Sequence, residues 1–582
     1  MKSMLRFGMT AVLAVGLTEI TPSAVYAAHQ ATPAISGHVT SQADGAMEGV
    51  VVTARAAGPE GAGDCAPKAN GSGAAGDQAL KCTLRRSIVS VSVVSDAKGN
   101  FQFPAARLSP GHYTLAIRAV GYDLAAPAGA TVAAGKTADV ALKLEPTKNL
   151  AGQLTDAEWT MSMPGTNEQK AALLNCTSCH TLQRIALSTH NADEFMQVMH
   201  RMAGYGPVSQ PIKPQKMLDE SRSGTPQQFL KPAQYLATVN LSSADTWTYQ
   251  LKTLPRPSGD STKVIVTEYA LPGETIEPHD VVRDKDGNIW YSDFGQSFLG
   301  KLNPKTLELT QYPVKKFKEK APVGQLSLQF DKQGLIWFDM MYQASLGTID
   351  PKTGAIKYYP VPAKWNDDRV QLNFVGDRHD VDGKVWTKDV GTQYIYRLDL
   401  ASGNWERFHP TDELPDAANH HYGIYQVISD AQNNLWMAEF STGYLGEIDA
   451  KTLKVTWYKP PTANSRLRRM DVSANGDIVA TEYQGNQVAV FNPKTRQFTE
   501  YQLPAYTNPY RSEIDKHGII WSSTMSTDRV VRSDPKTGQT DQYLMPSDTN
   551  MRTIFIDDTT PRTSVWVGSN HDHALVHVEP LN

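Results

Sequence analysis

The chain has 582 residues, of which 40% are hydrophobic and 20% are charged, and its formal net charge at pH 7 is -4. At roughly 150 residues per domain, this length predicts three or four structural units. The small net charge argues against nucleic acid or a strongly charged macromolecule as a partner.

The N-terminus has the pattern of a secretory signal peptide. Lys2 and Arg6 precede an apolar run from Phe7 to about Leu17, and small residues follow up to Ala27. This pattern predicts a signal peptide over residues 1–27, cleaved after Ala27. The apolar run is shorter than the ~20 residues of a transmembrane helix, and no later segment is apolar enough to form one. We therefore expect an exported protein, periplasmic or further outside, without a transmembrane segment after cleavage.

Residues 35–146 consist of short runs in which apolar and polar residues alternate, separated by turn signals such as DAKG and SPG. This pattern predicts a small antiparallel β-sandwich. The stretch DAKGNFQFPAARLSPGHYTLAIRAVGY resembles the carboxypeptidase regulatory-like (transthyretin-type) domain. No cluster of acids, bases or nucleophiles occurs in this segment, which favours a docking or spacer role.

Two of the four cysteines, Cys65 and Cys82, belong to a Gly/Ala-rich insertion in this segment. In an oxidising compartment such a pair can close a disulfide across a flexible loop, and we expect that disulfide here. The alternative is two unpaired thiols.

From residue 150 to 245 the periodicity becomes helical, and the sequence CTSCH lies within this stretch. The thiols of Cys176 and Cys179 can bond the two vinyl groups of a haem, and His180 can supply the proximal nitrogen to the iron. We therefore predict a small all-α cytochrome c domain carrying haem c. A redox-active or zinc-binding CxxC is the alternative, and it needs partner residues that the chain lacks.

The distal haem ligand is less well determined, because four side chains downstream of the motif could serve: Met199, His200, Met202 and Met217. The string CTSCHTLQRIALSTHNADEFMQVMHRMAGYG resembles cytochrome domains fused to periplasmic quinohaemoprotein dehydrogenases, in which an Arg-Met pair follows an amphipathic helix. The resemblance implies Met202 as the distal ligand, with Met217 next. A thioether ligand would raise the reduction potential and suit electron transfer.

Residues 263–582 repeat a Gly-aliphatic-Trp anchor about every 42 to 50 residues, a spacing typical of β-propellers. The anchors end at Trp290, Trp337, Trp386, Trp436, Val479, Trp521 and Trp566. The strand at 267–272 precedes the first anchor, and the last repeat lacks an outer strand of its own. The N-terminal strand should therefore complete the last blade and close a seven-bladed β-propeller. The whole chain is thus predicted to be multidomain and mainly β.

The repeats also predict which side chains line the central channel. Acids follow most anchors by two or three residues, at Asp293, Asp339, Asp389, Glu439 and Glu482. About ten residues before the anchors, the charged residues are Glu277, His279 and Asp280 in the first blade and Arg469, Arg511 and Arg552 in the last three. Such a charge-divided channel could hold a cation, a small anionic ligand or both. A structural ring of salt bridges is the alternative.

The first repeat contains the string EPHDVVRDKDGNIWYSDFG, which is similar to a motif of a known family. With it, residues 263–582 resemble the virginiamycin B lyase (streptogramin lyase) family of seven-bladed propellers, which open a cyclic depsipeptide ester by Mg-dependent elimination. The resemblance implies His279 as the base and Glu277 and Asp293 as ligands of a magnesium ion. Two positions depart from the family: the second carboxylate is Asp, not Glu, and Arg552 replaces a substrate-binding histidine.

Three functions remain compatible with these features. The leading hypothesis is a periplasmic electron-transfer cytochrome whose propeller binds a small molecule or a redox partner protein, either a dehydrogenase or another cytochrome. The alternatives are a lyase of the virginiamycin B type with an accessory haem, and a propeller dehydrogenase that passes electrons to the fused haem. A simple elimination needs no electron acceptor, so the fused haem favours the first and third hypotheses.

Overall fold

The computed structural model describes residues 32–58, 79–241, 247–376, 378–415 and 423–582. Along the chain it contains an N-terminal β-domain, a helical segment and a ring of β-sheets. The predicted signal peptide and Cys65 lie outside the described residues. Cys82 is half-buried and disulfide-bonded.

The N-terminal domain is built from two sheets. Its strands are β1 (Ile35–Ser41), β2 (Gly45–Ala46), β3 (Val51–Ala56), β4 (Leu80–Thr83), β5 (Val89–Val94), β6 (Asn100–Phe103), β7 (Gly111–Arg118), β8 (Tyr122–Leu124), β9 (Ala128–Val132) and β10 (Ala138–Pro146). One sheet has the order β2-β1-β10-β8, with β6 also paired to β1, and the other contains β5-β3-β7-β9. The inward side chains, including Val39, Val52 and Phe103, form one apolar core.

One detail of the predicted antiparallel sandwich is wrong. Strands β1 and β10 pair in parallel, with Ile35 opposite Ala138. Parallel pairing needs a long connection between the two strands, and the rest of the domain supplies it. Local alternation of apolar residues carries no information about strand direction.

The segment between the β-domain and the ring is helical, as its periodicity predicts. Its helices are Asp156–Ser162, Asn167–Leu173, Gln183–Ala186, Ala192–Ala203 and Leu230–Val239, with 3-10 turns at Leu150–Gln153, Cys176–Ser178, Glu220–Ser223 and Pro226–Phe229. Thr155, Thr166 and Asn191 each form a capping box at a helix start. The helices pack around a core that includes Trp159 and Phe195. A cytochrome c fold for this segment stays a prediction.

The rest of the chain forms seven blades of four antiparallel strands, of which the first and the seventh belong to larger sheets. The first blade has β12 (Pro278–Arg283), β13 (Ile289–Asp293), β14 (Phe298–Leu302) and β15 (Glu308–Pro313); the second has β16 (Leu328–Phe330), β17 (Ile336–Met340), β18 (Ser345–Ile349) and β19 (Ile356–Pro360); and the third has β20 (Leu372–Gly376), β21 (Lys384–Asp389), β22 (Ile395–Asp399) and β23 (Trp405–Phe408). The fourth blade has β24 (Ile424–Ser429), β25 (Leu435–Glu439), β26 (Leu445–Ile448) and β27 (Val455–Tyr458), and the fifth has β28 (Leu467–Val472), β29 (Ile478–Glu482), β30 (Gln487–Asn492) and β31 (Gln497–Gln502). The sixth blade has β32 (Pro509–Ile514), β33 (Ile520–Thr524), β34 (Arg529–Ser533) and β35 (Thr540–Leu544), and the seventh has β36 (Phe555–Asp557), β37 (Ser564–Ser569) and β38 (Ala574–Pro580) together with β11 (Val264–Ala270). A short helix, His379–Asp382, and 3-10 turns at Arg86–Ile88, Gly259–Thr262, Met341–Gln343, Ala363–Trp365 and Pro410–Glu413 complete the elements.

The inner strands of the first six sheets contact one another in order around the ring, through the pairs β12 and β16, β17 and β20, β20 and β24, β24 and β28, and β28 and β32. The sixth sheet shares an apolar cluster with the seventh, and β37 contacts β12. Strand β11 pairs with β38, with Thr267 opposite His577, which confirms the predicted closure by the N-terminal strand. The sheets therefore form a closed, seven-bladed ring.

The spacing of the sequence anchors has a local cause. The carboxylate of Asp284 accepts a hydrogen bond of 2.9 Å from the Trp290 indole and bonds from the backbone amides two and four residues after it. Asp515 holds Trp521 in the same way, at 2.8 Å. Gly287, in the first of these turns, has φ +85°, a conformation that favours glycine. Each such turn fixes a buried Trp between two blades.

The N-terminal domain is joined to the ring through its strands. Strand β5 pairs with β11, with Val91 opposite Thr267, and β4 pairs with β15, with Cys82 opposite Leu309. A single sheet thus runs through the seventh blade and the N-terminal domain in the order β36-β37-β38-β11-β5-β3-β7-β9. The outer edges of the seventh and first blades are covered in this way. None of the described helices has the length and apolarity needed to cross a membrane.

Candidate functional site at the mouth of the propeller channel

Five of the innermost strands contain a register shift. The shifts lie between Pro278 and Val281, Asn373 and Val375, Ile424 and Gln426, Leu467 and Met470, and Pro509 and Ser512. A β-bulge interrupts the alternation of side chains, so that consecutive residues can be directed towards one region. The bulged positions are His279, Asp280, Phe374, Tyr425, Arg468, Arg469, Tyr510 and Arg511. The candidate site is built from this set.

Five of these side chains form a hydrogen-bonded series. The Arg468 guanidinium donates to the Tyr425 hydroxyl at 3.3 Å, and the Tyr425 and Tyr510 hydroxyls share a bond of 2.7 Å. The Tyr510 hydroxyl lies 3.4 Å from Nε2 of His279. Nδ1 of His279 donates to Oδ1 of Asp280 at 2.8 Å. The series connects two phenols with an imidazole whose orientation is fixed by a carboxylate.

Burial and nearby charges together determine the protonation of this series. It lowers the pKa of His279 to about 4, although the Asp280 carboxylate opposes the shift. Burial also disfavours ionisation of Tyr425, but the Arg468 charge and the Tyr510 hydrogen bond outweigh it and lower the pKa of Tyr425. His279 is therefore neutral at pH 7, the form that can accept a proton.

The predicted channel arginines have different surroundings. Arg469 donates to both oxygens of Asp280, at 2.6 and 2.7 Å, and so joins the fifth blade to the first. Arg511 instead lies 2.7 Å from Oε1 of Glu513 and 3.3 Å from Oδ1 of Asp471. Part of the predicted charge division is thus neutralised by direct pairing, as the salt-bridge alternative anticipated.

Arg468 is a site residue that the sequence reasoning missed. Its guanidinium carbon lies 4.2 Å from the ring centroid of Tyr483, 4.4 Å from that of Tyr510 and 4.9 Å from that of Tyr425. The adjacent pair Arg468-Arg469 was the available signal. Strict alternation along β28 would direct the two to opposite faces, and only the bulge places both near the channel.

The two carboxylates predicted to bind magnesium do lie together. Oδ1 of Asp293 accepts hydrogen bonds from the amides of Glu277 and Gly295, at 3.2 and 3.0 Å. Asp293 Oδ2 and Glu277 Oε2 are buried and have no hydrogen-bond partner among the described residues. Burial raises the pKa of Glu277 to about 8 and that of Asp293 to about 7. Lys213 of the helical segment, which donates to the Gly295 carbonyl at 2.7 Å, brings a positive charge to the pair.

Magnesium at this pair stays a prediction. In the part of the chain that the structure describes, no group of three or more His, Cys, Asp or Glu side chains could hold a metal ion. Glu277 and Asp293 could each offer one free oxygen, and Mg²⁺ often uses only one or two carboxylates with several waters.

Other acids of the predicted ring have structural partners. Asp339 accepts from the amides of Leu326 and Phe374, both at 2.9 Å. Asp389 accepts from the amides of Gln371 and Gly391, both at 2.8 Å. These carboxylates tie the inner strands to their neighbours, and they are not available as ligands.

The CTSCH motif has the groups that haem c attachment requires. Cys176 and Cys179 are free thiols at the start of, and directly after, the 3-10 turn Cys176–Ser178. Nδ1 of His180 donates to the Thr181 carbonyl at 2.9 Å, which leaves the lone pair of Nε2 for a metal. Burial lowers the pKa of His180, so that the neutral imidazole needed for ligation predominates. The residues present fit the predicted group.

The motif is docked on the propeller. Just before β36, Asn550 donates through Nδ2 to the Thr177 carbonyl at 3.0 Å, and Arg552 donates to the Ser178 carbonyl. The Arg552 guanidinium also lies 5.3 Å from the ring centroid of Phe294 in the first blade. Arg552, predicted to bind a channel ligand, therefore holds the CTSCH loop.

The candidate distal ligands lie in different environments. Met202 is half-buried in the last turn of the helix Ala192–Ala203. Met199 packs against the core of the helical segment, whereas Met217 is buried in a cluster with Phe294 of the propeller. Met202 as the distal ligand stays a prediction.

His571 is a second residue that the sequence reasoning missed. It lies in the turn between β37 and β38. Burial and the nearby charges of Arg552 and His180 lower its pKa to about 3. A neutral imidazole of the seventh blade thus lies near the CTSCH motif, and only the closure of the ring brings it there.

Comparisons with known proteins support the N-terminal prediction. Residues 34–145 match the carboxypeptidase regulatory-like domain family. No curated protein matches the chain. Three similar solved structures are propeller proteins: virginiamycin B lyase from Staphylococcus aureus (18% identity, TM-score 0.46, 55% of this chain and 100% of that chain), a streptogramin B lyase (18%, 0.47, 56% and 100%) and the Pan2 WD40 domain of Neurospora crassa (11%, 0.40, 53% and 90%). Their low sequence identities and TM-scores support no conclusion about the function of this chain. The propeller fold is established by the strand pairing described above.

Proposed function

We propose that this chain is an exported monohaem c-type cytochrome, in which haem c held by Cys176, Cys179 and His180 exchanges electrons at the mouth of the propeller channel. One observation carries the proposal. Asn550 and Arg552 of the seventh blade donate hydrogen bonds to the backbone of the CTSCH motif itself. A redox group attached there would lie against the channel residues.

Each residue of the motif has a defined task in this proposal. The thiols of Cys176 and Cys179 form the two thioether bonds, and Nε2 of His180 binds the iron. Bound haem c supplies a reversible one-electron carrier. Leu174, just before the motif, packs on the aromatic cluster of Tyr483 and Tyr510 and excludes water between loop and channel.

The propeller contributes charge and a proton path. The Arg552 guanidinium lies near the motif, and a positive charge favours the reduced haem over the oxidised one. The neutral His279 presents the lone pair of Nε2, 3.4 Å from the Tyr510 hydroxyl, as a proton acceptor while Asp280 holds the imidazole in place. A small molecule bound at the channel could thus exchange protons with His279 and electrons with the haem.

The expected partner is a redox protein, either a dehydrogenase or another cytochrome. The predicted signal peptide at residues 1–27 supports export, and haem c attachment takes place outside the cytoplasm. We place the protein in the periplasm or otherwise outside the inner membrane.

Haem attachment is tested by expressing the full chain together with a c-type maturation system. We expect covalently bound haem on denaturing gels and one haem per chain in the pyridine haemochrome assay. Exchange of both Cys176 and Cys179 for Ala should abolish both signals, whereas Thr177→Ser, within the same loop, should leave them unchanged. Absence of covalent haem from the unmutated protein, in cells that mature a control cytochrome, would refute the proposal.

The docking of haem and propeller is tested by Arg552→Gln. Removal of the positive charge should lower the midpoint potential by on the order of tens of millivolts. Arg532→Gln, which affects an arginine 3.0 Å from Asp541 in the sixth blade, is the matched control and should not change it. An unchanged midpoint potential in the Arg552→Gln variant would show that the haem does not lie close to Arg552 and the propeller channel.

The His279-Asp280 pair also supports a second candidate, a lyase of the virginiamycin B type. A neutral imidazole oriented by a carboxylate is suited to abstract a proton next to a carbonyl, and Glu277 and Asp293 would hold magnesium. The test is Mg-dependent opening of a cyclic depsipeptide ester, with His279→Ala as the inactive variant. No opening by the unmutated protein would exclude this candidate.

A further inference from the structure

Lys388, on β21 of the third blade, is an exception among the repeats. It lies two residues after its anchor, where the second blade has Asp339 and the other five have the uncharged residues Ser292, Ala438, Thr481, Ser523 and Gly568. Only 3% of Lys388 is exposed. A lysine is almost never fully buried unless its charge is paired, so this position needs an explanation.

The Lys388 ammonium has no ion pair or hydrogen bond among the described residues. Its nitrogen lies 5.6 Å from the ring centroid of Phe374 and 5.7 Å from that of Tyr425. The two carboxylates whose charges act on it, Asp389 and Asp339, accept hydrogen bonds from other donors. Those donors are Gln371, Gly391 and Thr392 for Asp389, and Leu326, Ser327 and Phe374 for Asp339.

This environment makes the amine reactive. Burial lowers the pKa of Lys388 to about 7, against the opposing charges of Asp389 and Asp339. About half of the amine is then neutral at pH 7, compared with fewer than about one in a thousand for an ordinary lysine. A neutral lysine in an apolar pocket is a nucleophile towards carbonyl carbon.

A second cation contacts the same aromatic ring. The Arg468 guanidinium lies 4.9 Å from the ring centroid of Tyr425 and pairs, among the described residues, with a hydroxyl and ring faces but with no carboxylate. Its Nε is buried without a hydrogen-bond partner. Arginine is well suited to bind a carboxylate through two parallel hydrogen bonds. The ring of Tyr425 is therefore contacted both by a buried amine and by a group that can recognise a carboxylate.

We propose that Lys388 forms an imine with a small carbonyl compound that carries a carboxylate, such as a 2-oxo acid, while Arg468 binds the carboxylate. The neutral lysine nitrogen attacks the carbonyl carbon, and one of its two protons passes to the carbonyl oxygen to give a carbinolamine. The Tyr425 hydroxyl, which is hydrogen-bonded to Tyr510, can donate the proton with which the carbinolamine hydroxyl leaves as water. The Tyr425 phenolate then takes the second proton from the nitrogen, so that the imine and one water are the products. The step needs no oxidant or reductant. It goes beyond the proposed electron transfer and does not depend on the haem.

Reductive trapping tests this inference on the full chain. The protein is incubated with pyruvate and cyanoborohydride at pH 7, which reduces an imine to a stable secondary amine, and labelled lysines are mapped by mass spectrometry. Lys388 should be labelled about tenfold or more above the exposed Lys451, because far more of its amine is neutral. Lys388→Met should lose this label, and Lys451→Met should keep it.

Two further experiments, the Arg468→Gln variant and labelling by propionaldehyde, test whether the ligand must carry a carboxylate. Arg468→Gln should reduce labelling by pyruvate but not by propionaldehyde, which has the same carbon chain and no carboxylate. Labelling of Lys388 by propionaldehyde alone would overturn the oxo-acid assignment. Labelling confined to surface lysines, or equal labelling in Lys388→Met, would overturn the whole inference. If Lys388→Met unfolds, Lys388→Arg, which keeps the charge, should fold and remain unlabelled. The haem signals of the same samples report separately on the proposed electron transfer.

Discussion

The two regions that precede the propeller are joined to it by different kinds of bonds. The N-terminal domain adds β5 to the seventh blade and β4 to the first, through rows of main-chain hydrogen bonds. The helical segment uses separate contacts, such as Asn550 with the Thr177 carbonyl and Lys213 with the Gly295 carbonyl. Main-chain pairing makes the N-terminal domain part of the propeller's sheet, whereas side-chain contacts position the CTSCH loop. We infer that the first attachment serves stability and the second serves function.

The largest expected effect comes from Arg118→Ala in the N-terminal domain. Arg118 lies 2.6 Å from Oδ2 of Asp528 and donates to the Met545 carbonyl at 3.0 Å, both in the propeller. Its removal leaves a buried carboxylate without its partner and should lower the free energy of unfolding by about 3 to 5 kcal/mol. Chemical denaturation measures the loss. Arg55→Ala, at an exposed position on β3, should have little effect. Equal effects of the two would mean that the domain is only loosely attached.

Val91→Pro tests whether the shared sheet unfolds as one unit. Val91 lies on β5 between Ala54 of β3 and Thr267 of β11. Proline within a central strand removes a main-chain donor and leaves its buried acceptor unpaired, which should cost up to about 3 kcal/mol. The N-terminal domain and the propeller should then melt together at a lower temperature in calorimetry. A separate early transition, with the propeller unaffected, would show that the domain is an independent spacer.

Glu268→Gln should change how stability depends on pH. Glu268 of β11 accepts hydrogen bonds from Ser90 of the N-terminal domain and Ser547 of the propeller, at 3.2 and 2.6 Å. Burial raises the pKa of Glu268 from 4.5 to about 7, so the folded state retains a proton that the unfolded chain releases. Stability of the unmutated protein should therefore fall by about 3 kcal/mol as the pH rises from 4.5 through 7.

The glutamine that replaces Glu268 does not titrate, so this variant should match the unmutated protein near pH 4 and exceed its stability at pH 8. Thermal melting across this pH range measures the difference. Glu308→Gln, at an exposed position, is the control. Parallel pH profiles for unmutated and Glu268→Gln protein would contradict the raised pKa.

Asn550→Ala should have the smallest effect on stability and a local effect on the CTSCH loop. The substitution removes two hydrogen bonds: the one that Nδ2 of Asn550 donates to the Thr177 carbonyl, and the one of 2.7 Å that Oδ1 of Asn550 accepts from Nε of Arg552. The free energy of unfolding should fall by about 1 kcal/mol. Amide exchange of residues 176–180 should accelerate more than exchange in the blades. Asn303→Ala, which breaks a contact of 2.9 Å to Asn288 in a blade turn, should leave the loop unchanged. Uniform acceleration would indicate a purely structural role for Asn550.

Much of the propeller could be predicted because its signals are local. The carboxylates of Asp284 and Asp515 accept hydrogen bonds from the indoles of Trp290 and Trp521, six residues later. Because both partners lie within one short stretch of sequence, the repeat can be recognised without knowing the tertiary structure. The candidate site was harder to predict. Glu277 and Asp293 lie together in the first blade, and magnesium at this pair stays a prediction. The bulge that brings Arg468 beside the channel depends on the pairing of β28 with β29.

By itself, the sequence determined the repeat, the closing strand, the helical segment and the CTSCH motif, because turns, alternation and helix caps involve residues a few positions apart. The tertiary structure alone decided the parallel pairing of β1 with β10, the strands shared between the N-terminal domain and the ring, and the contact of Arg552 with the motif. Such contacts join residues from 103 to 374 positions apart, and their partners are selected by ring closure and packing. The same long-range packing buries Lys388 against two aromatic rings, without an ion pair or hydrogen bond among the described residues.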